Sequence, residues 1–153
     1  NNEMDDFSIK PGFPNMFGLI GGEANAIEPN KRMLSSMTPT IVEKDKKLFM
    51  VLGTPGGSTI ITSVFQTILN VIDYKMGMQE AVDAKKFHHQ WLPDVIVIEK
   101  NSISKESLEK IKKIGHKIME RGSIGGMDCI LVNIDNSLEG GADKRGDNTA
   151  IGY

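Results

Sequence analysis

Two short stretches offer chemistry before any element is assigned: Leu34-Ser35-Ser36-Met37-Thr38-Pro39 and Thr54-Pro55-Gly56-Gly57-Ser58. Ser35 and Ser36 set hydroxyls side by side, and paired hydroxyl donors suit a carboxylate. Gly56 and Gly57 stand where an apolar run gives way to a helical pattern. Backbone N–H groups there, with no Cβ in the way, can approach an oxyanion. Near the start, Glu3, Asp5 and Asp6 gather negative charge around Met4, which suits an ammonium group. Together they suggest a pocket for a zwitterionic substrate and an anionic transition state. No nucleophile accompanies them.

Each group also has an ordinary reading. Taken alone, Gly56-Gly57 reads first as a strand-to-helix turn, Ser35-Ser36 as loop or capping serines, and the acids as solvated surface. His88, His89 and His116 lack carboxylate or cysteine partners at metal-ligand spacing, so neither a metal nor another cofactor is expected. The Arg145-Gly146-Asp147 tripeptide is too short a match to carry a function. Cys129, the single cysteine, sits in an apolar run and reads as a buried structural thiol.

The elements that must position these groups follow from pattern and punctuation. Residues 1–30 are rich in Gly, Pro and Asn, the composition of an ordered loop. Thr40–Val42 and Leu48–Leu52 predict a hairpin around Lys44-Asp45-Lys46-Lys47. From near Ser58, helical spacing of Ile60, Ile61, Val64, Phe65, Ile68, Leu69 and Ile72 predicts a largely buried helix. A short helix is expected over 79–84 and a strand over 95–98. Next comes an amphipathic helix capped by Ser104, with Leu108, Ile111 and Ile114 on one face and Gly115 as its stop. Strands are expected near 117–120 and 129–134. The class is α/β (α+β) with substantially antiparallel sheets, in a single domain over 1–153.

With 153 residues, 39% apolar and 25% charged, the chain can build one respectable core. A formal net charge of −2 argues against a nucleic-acid partner or an anionic membrane surface, which call for a basic face. No apolar run reaches the length of a membrane span. The chain begins at Asn1 rather than Met and reads as a piece of something longer.

In order, Asn1-Asn2-Glu3-Met4-Asp5-Asp6-Phe7, Asn30-Lys31-Arg32-Met33-Leu34-Ser35-Ser36-Met37, Gly53-Thr54-Pro55-Gly56-Gly57-Ser58 and Phe87-His88-His89-Gln90-Trp91-Leu92-Pro93 resemble the small subunit of the γ-glutamyltransferase (glutathione hydrolase) family. The ending, from Asp143 through Arg145-Gly146-Asp147 to Gly152-Tyr153, resembles the family's terminus.

The resemblance implies an N-terminal-nucleophile hydrolase with an αββα sandwich, its first strands lying upstream of Asn1. It implies a zymogen cleaved autocatalytically into two subunits, the large one remaining as partner. The enzyme would be an acyltransferase and hydrolase of glutathione metabolism, related to proteases. Its nucleophilic Thr, outside this chain, would take the γ-glutamyl group from glutathione or another γ-glutamyl compound and pass it to water, an amino acid or a peptide.

Carried over residue by residue, Glu3 and Asp6 hold the substrate α-ammonium, Ser35 and Ser36 the α-carboxylate, and Gly56 and Gly57 form the oxyanion hole. Residues 11–22 resemble the lid loop, with Phe17 where many bacterial members have Tyr. Met33 stands for a usual Pro and Thr59 for a usual Arg. A periplasmic or secreted location is implied. The alternatives are a related acylase or γ-polyglutamate transpeptidase of the same fold, or, in another class, a non-catalytic module. The acidic residues and serine pair favour a donor with a free α-amino acid end.

Overall fold

Alternating side chains and a tight turn make the central hairpin. In the computed structural model, which describes residues 3–153, β1 (Thr40–Lys44) pairs antiparallel with β2 (Lys47–Gly53). Asp45 and Lys46 at the turn both take positive φ, the backbone twist that suits a two-residue hairpin. Along β2, Met50 and Leu52 are buried while Val51 faces out, as a period of two requires. β6 (Asp128–Val132) and β7 (Leu138–Ala142) complete an antiparallel sheet of order β1-β2-β6-β7.

Two helices supply the rest of the core. In α1 (Thr59–Ile72), Ile60, Val64 and Val71 join Met50, Leu52, Cys129 and Leu131, as do Met78, Ala81 and Val82 of α2 (Met78–Asp83). Side chains tie α2 to β7. The Glu139 carboxylate accepts the Met78 N–H at 2.6 Å, satisfying one of the donors a helix start leaves open. The Gln79 amide donates to the Ala142 carbonyl at 2.9 Å and accepts its N–H at 3.1 Å, as a neighbouring strand would.

A second sheet holds β3 (Phe87–His88), β4 (Ile96–Glu99) and β5 (Ile118–Arg121). Here β3–β4 is antiparallel, but β4–β5 is parallel, with α3 (Lys105–Lys113) in the connection between them. A parallel neighbour needs such a crossover; the other four pairings are antiparallel, in keeping with the substantially antiparallel sheets expected. The chain divides into two compact units, Asn1–Thr38 and Pro39–Tyr153; all the named strands and α-helices lie in the second.

Two helix expectations need correction. α1 is half-buried, not largely buried: Ile61, Phe65 and Ile72 are exposed, while Ser63 and Thr67 are fully buried. Small side chains let the helix approach its neighbours closely; a Cβ on Gly125 would already lie 3.0 Å from the Ser63 hydroxyl. α3 buries no residue completely, and Ile114 is exposed. Its Ser104 cap is as expected, the hydroxyl accepting the Ser107 N–H at 3.2 Å.

Candidate functional site

In the first unit a single turn of 3-10 helix, Met4–Asp6, gathers the acids. Glu3, Asp5 and Asp6 each offer a carboxylate oxygen, and these oxygens lie within 4.8 Å of one another. Glu3 and Asp5 are exposed, whereas Asp6 is only 9% exposed. The Asp6 Oδ2 atom is buried and has no hydrogen-bond partner among the described residues. A buried carboxylate oxygen left unpaired is costly, and a cation arriving beside it relieves that cost. The resembling stretch begins at Asn1-Asn2, outside the described residues.

Ser35 and Ser36 are exposed in a segment of the same unit that forms neither helix nor strand. The Ser35 hydroxyl reaches the Met37 carbonyl only at 3.5 Å, the long limit for a hydrogen bond. Asn25 links the serine segment to the acids. Its amide donates to the Asp6 carbonyl at 2.7 Å and accepts the Leu34 N–H at 3.1 Å. Spacing does not single out Asn25; it closes a single 3-10 turn, Glu23–Asn25, within a Gly- and Asn-rich stretch where Asn reads as an ordinary turn residue.

The lid-like segment is a small hairpin. Pro14 bridges Ile20, Gly12 N–H donates to Gly21, and the Asn15 carboxamide accepts the N–H groups of Phe17 and Leu19 at 2.9 and 3.0 Å. Phe17 lies at its tip, 38% exposed.

Gly56 and Gly57 belong to the second unit, between β2 and α1. Both take positive φ, +144° and +57°, which a side chain disfavours. A Cβ on Gly56 would also fall 2.5 Å from the Thr59 hydroxyl. The Gly56 carbonyl accepts the Thr59 N–H at 3.2 Å and the Thr59 hydroxyl at 2.8 Å. Neither glycine's own N–H donates to another group among the described residues. Two open N–H donors therefore stand just before a helix, where its dipole also favours negative charge.

Behind this turn runs the segment 122–127. Gly126 N–H donates to the Thr54 hydroxyl oxygen at 2.8 Å, and that hydroxyl donates to the Pro55 carbonyl at 2.7 Å. Buried carboxylates hold the segment. Glu99 accepts the Ile124 N–H at 2.9 Å, and Asp143 accepts the Met127 N–H at 3.0 Å. Arg145 joins both acids: Nε and one terminal nitrogen reach Glu99 at 2.7 and 2.8 Å, the other reaches Asp143 at 2.9 Å. Lys86, fully buried, donates to the Val82 and Ala84 carbonyls at 2.8 and 3.2 Å. Arg145, from the tripeptide set aside in the sequence, is thus an internal anchor.

The environment fixes the charges. Burial pushes the Glu99 carboxyl up, but hydrogen bonds from Arg145 and the N–H groups of Lys86 and Ile124 outweigh it and hold it below the ordinary Glu range. The Arg145 guanidinium is raised, chiefly by its hydrogen bonds to Glu99. Burial, and then Arg145, lower the Lys86 ammonium. Burial drives the Cys129 thiol up to about 12, so this inert core cysteine matches its sequence reading.

His88 is a core histidine, its Nδ1 on the Thr62 hydroxyl at 2.8 Å and its Nε2 on the Gln90 carboxamide at 2.9 Å. His89 lies 3.1 Å from Asp94.

Against known proteins, the family model described as gamma-glutamyltranspeptidase matches residues 1–153. The chain is 50% identical over 154 residues to the glutathione hydrolase proenzyme of Escherichia coli (strain K12), covering 100% of this chain and 26% of that protein. It spans about a quarter of the length of that relative. A solved structure of a mutant Helicobacter pylori gamma-glutamyltranspeptidase superposes with a TM-score of 0.88 at 52% identity, over 95% of this chain and 80% of that one. The Bacillus anthracis transpeptidase CapD shares the fold at a TM-score of 0.69 and 22% identity, over 82% of this chain and 76% of that one.

Proposed function

Because this chain belongs to the gamma-glutamyltranspeptidase family, we propose that the complete protein transfers γ-glutamyl groups from glutathione or other γ-glutamyl donors to water, amino acids or peptides. Asp6 and Glu3 bind the donor's α-ammonium, and Ser35 and Ser36 bind its α-carboxylate. Gly56 and Gly57 donate their N–H groups to the oxyanion. The observation that carries the reading is the buried, unpaired Asp6 oxygen within an acidic trio. Such a group needs a cation, and the α-ammonium supplies one.

In the reaction, a Thr hydroxyl from outside this sequence adds to the γ-carbonyl carbon. The carbonyl π electrons move onto oxygen, and the Gly56 and Gly57 N–H groups stabilise that charge. Collapse expels the amine, which leaves carrying the proton the Thr hydroxyl gave up, and a γ-glutamyl ester remains. Water or an acceptor amine then repeats the sequence on the ester and restores the hydroxyl.

The relative's description as a proenzyme supports a precursor cleaved into two subunits, with the large subunit as this chain's partner. Phe17 lies in a lid over the donor. A periplasmic or secreted location completes the reading; among the described residues no helix is long and apolar enough to cross a membrane.

Asp6→Asn in the complete protein tests the reading, because Asn keeps the shape and loses the charge. A charge-assisted hydrogen bond contributes about 1.5–3 kcal/mol, so kcat/KM for a γ-glutamyl anilide falls roughly ten- to a hundred-fold. Unchanged kinetics in a folded variant would make Asp6 a structural acid only.

A further inference from the structure

We propose that Thr54 is a positioning residue that aims the Gly56 N–H at the oxyanion. The proposal rests on the reading of Gly56 and Gly57 given above and adds a residue that touches no substrate.

The argument starts from the peptide bond. The Pro55 carbonyl and the Gly56 N–H belong to one planar trans unit, so they point in opposite directions and turn together. Whatever grips the carbonyl therefore aims the N–H. The Thr54 hydroxyl grips it at 2.7 Å, and no second donor reaches that carbonyl among the described residues.

A hydroxyl that donates to its neighbour's carbonyl still rotates unless its oxygen is also held. Gly126 N–H holds it, at 2.8 Å. That N–H is fixed in turn, because Ile124 and Met127 on either side are bonded to the buried Glu99 and Asp143. Gly125 also lies close behind: a Cβ there would fall 3.1 Å from the Thr54 hydroxyl, so the glycine leaves room for this contact. A connected series of bonds thus runs from a rigid charged cluster to the orientation of one donor. The neighbouring peptide is held separately, its Gly56 carbonyl gripped by the Thr59 N–H and hydroxyl.

Thr54→Val removes the hydroxyl and keeps the shape; Thr54→Ser keeps the hydroxyl. Both are made in the complete protein, with melting temperature recorded, beside Gly57→Ala as the control for the oxyanion role. The probes are a γ-glutamyl anilide, free L-glutamate as a competitive ligand, and a boronic-acid analogue of the γ-glutamyl group. The boronic acid forms a tetrahedral anion on a hydroxyl nucleophile and so calls on the oxyanion donors. L-Glutamate does not.

In folded Thr54→Val we expect kcat to fall about ten-fold or more, boronate inhibition to weaken by a similar factor, and KM and L-glutamate affinity to stay within about two-fold. Thr54→Ser retains most of the wild-type kcat and boronate affinity. If Thr54→Val does not fold, Thr54→Ala takes its place against the same Ser variant. Folded Val or Ala protein with wild-type kcat and boronate affinity overturns the proposal, as does a Ser variant damaged as badly as Val. If Gly57→Ala also leaves both quantities unchanged, the oxyanion reading itself has failed, and this inference with it.

Discussion

Asp6 and Gly57 are costly residues for folding alone, for different reasons. Asp6 gives up water around a carboxylate oxygen with no described partner in return. Gly57 adopts a φ of +57°, which costs other residues roughly 1–2 kcal/mol. Such local violations concentrate where a site needs them. At Gly57 the two explanations separate. As a turn glycine only, Gly57→Ala lowers the melting temperature and leaves kcat of the remaining folded enzyme near normal. As an oxyanion donor whose placement the Cβ disturbs, the same change depresses kcat by on the order of 10²–10³, with a smaller effect on KM. We expect the second result; melting temperature and kcat measured on one preparation decide it, and a near-normal kcat removes Gly57 from the mechanism.

Between residues and the fold stand the connections that hold elements at fixed distances, and the buried charges form the strongest of them. Arg145 spans β4, the end of α2 and the segment after β7, bonding Glu99, Asp143 and the Val82, Asp83 and Ala84 carbonyls. Arg145→Met leaves Glu99 and Asp143 buried without that cation, and breaking a buried pair costs about 3–5 kcal/mol. Urea unfolding should show a loss of that order; a change below about 1 kcal/mol would place the anchor elsewhere. The pH dependence follows from Glu99. Its carboxyl is held below the ordinary value of 4.5, so its stabilisation is complete above that pH and is lost as pH falls through the lower folded-state value. A melting series below pH 4.5 should therefore fall less steeply for Glu99→Gln than for the wild type.

These connections are also where the sequence was least legible. The hairpin, both main helices and the Ser104 cap could be read from periodicity and turn chemistry, because those signals are local. The Gly56-Gly57 turn and the serine pair could be singled out from residue type. Periodicity did not tell which apolar stripe of α1 faces inward: Ile60 and Val64 are buried and Ile61 and Phe65 are not, although both pairs fit a helix face. Nor did it bring Glu99 to Ile124 or Asn25 to Leu34, since such bonds depend on the assembled fold rather than on spacing.

At the scale of the whole chain, the second unit keeps apolar surface on both sides of its four-stranded sheet. Ile41, Val51 and Ile130 lie opposite one another across β1, β2 and β6 and face away from the core, 68%, 37% and 44% exposed. An open cleft of about 1010 Å³ on this side is lined by Val51, Ile130, Leu138 and Tyr153 among others. On the helical side, Ile61 and Phe65 are likewise exposed, 67% and 58%. Contiguous apolar surface of this kind favours association, and the chain spans only about a quarter of the length of the curated relative it matches. We therefore expect the isolated 153-residue chain to self-associate in dilute buffer. Val51→Lys, which sets a charge in the middle of the exposed row, should shift it toward monomer in sedimentation velocity. The same isolated chain should not turn over a γ-glutamyl anilide, because donors for an oxyanion accelerate nothing without the group that attacks the carbonyl. A monodisperse monomer would show that the row is tolerated in water. Turnover above the buffer blank would require a nucleophile within residues 1–153 and would move the proposed catalytic Thr into this chain.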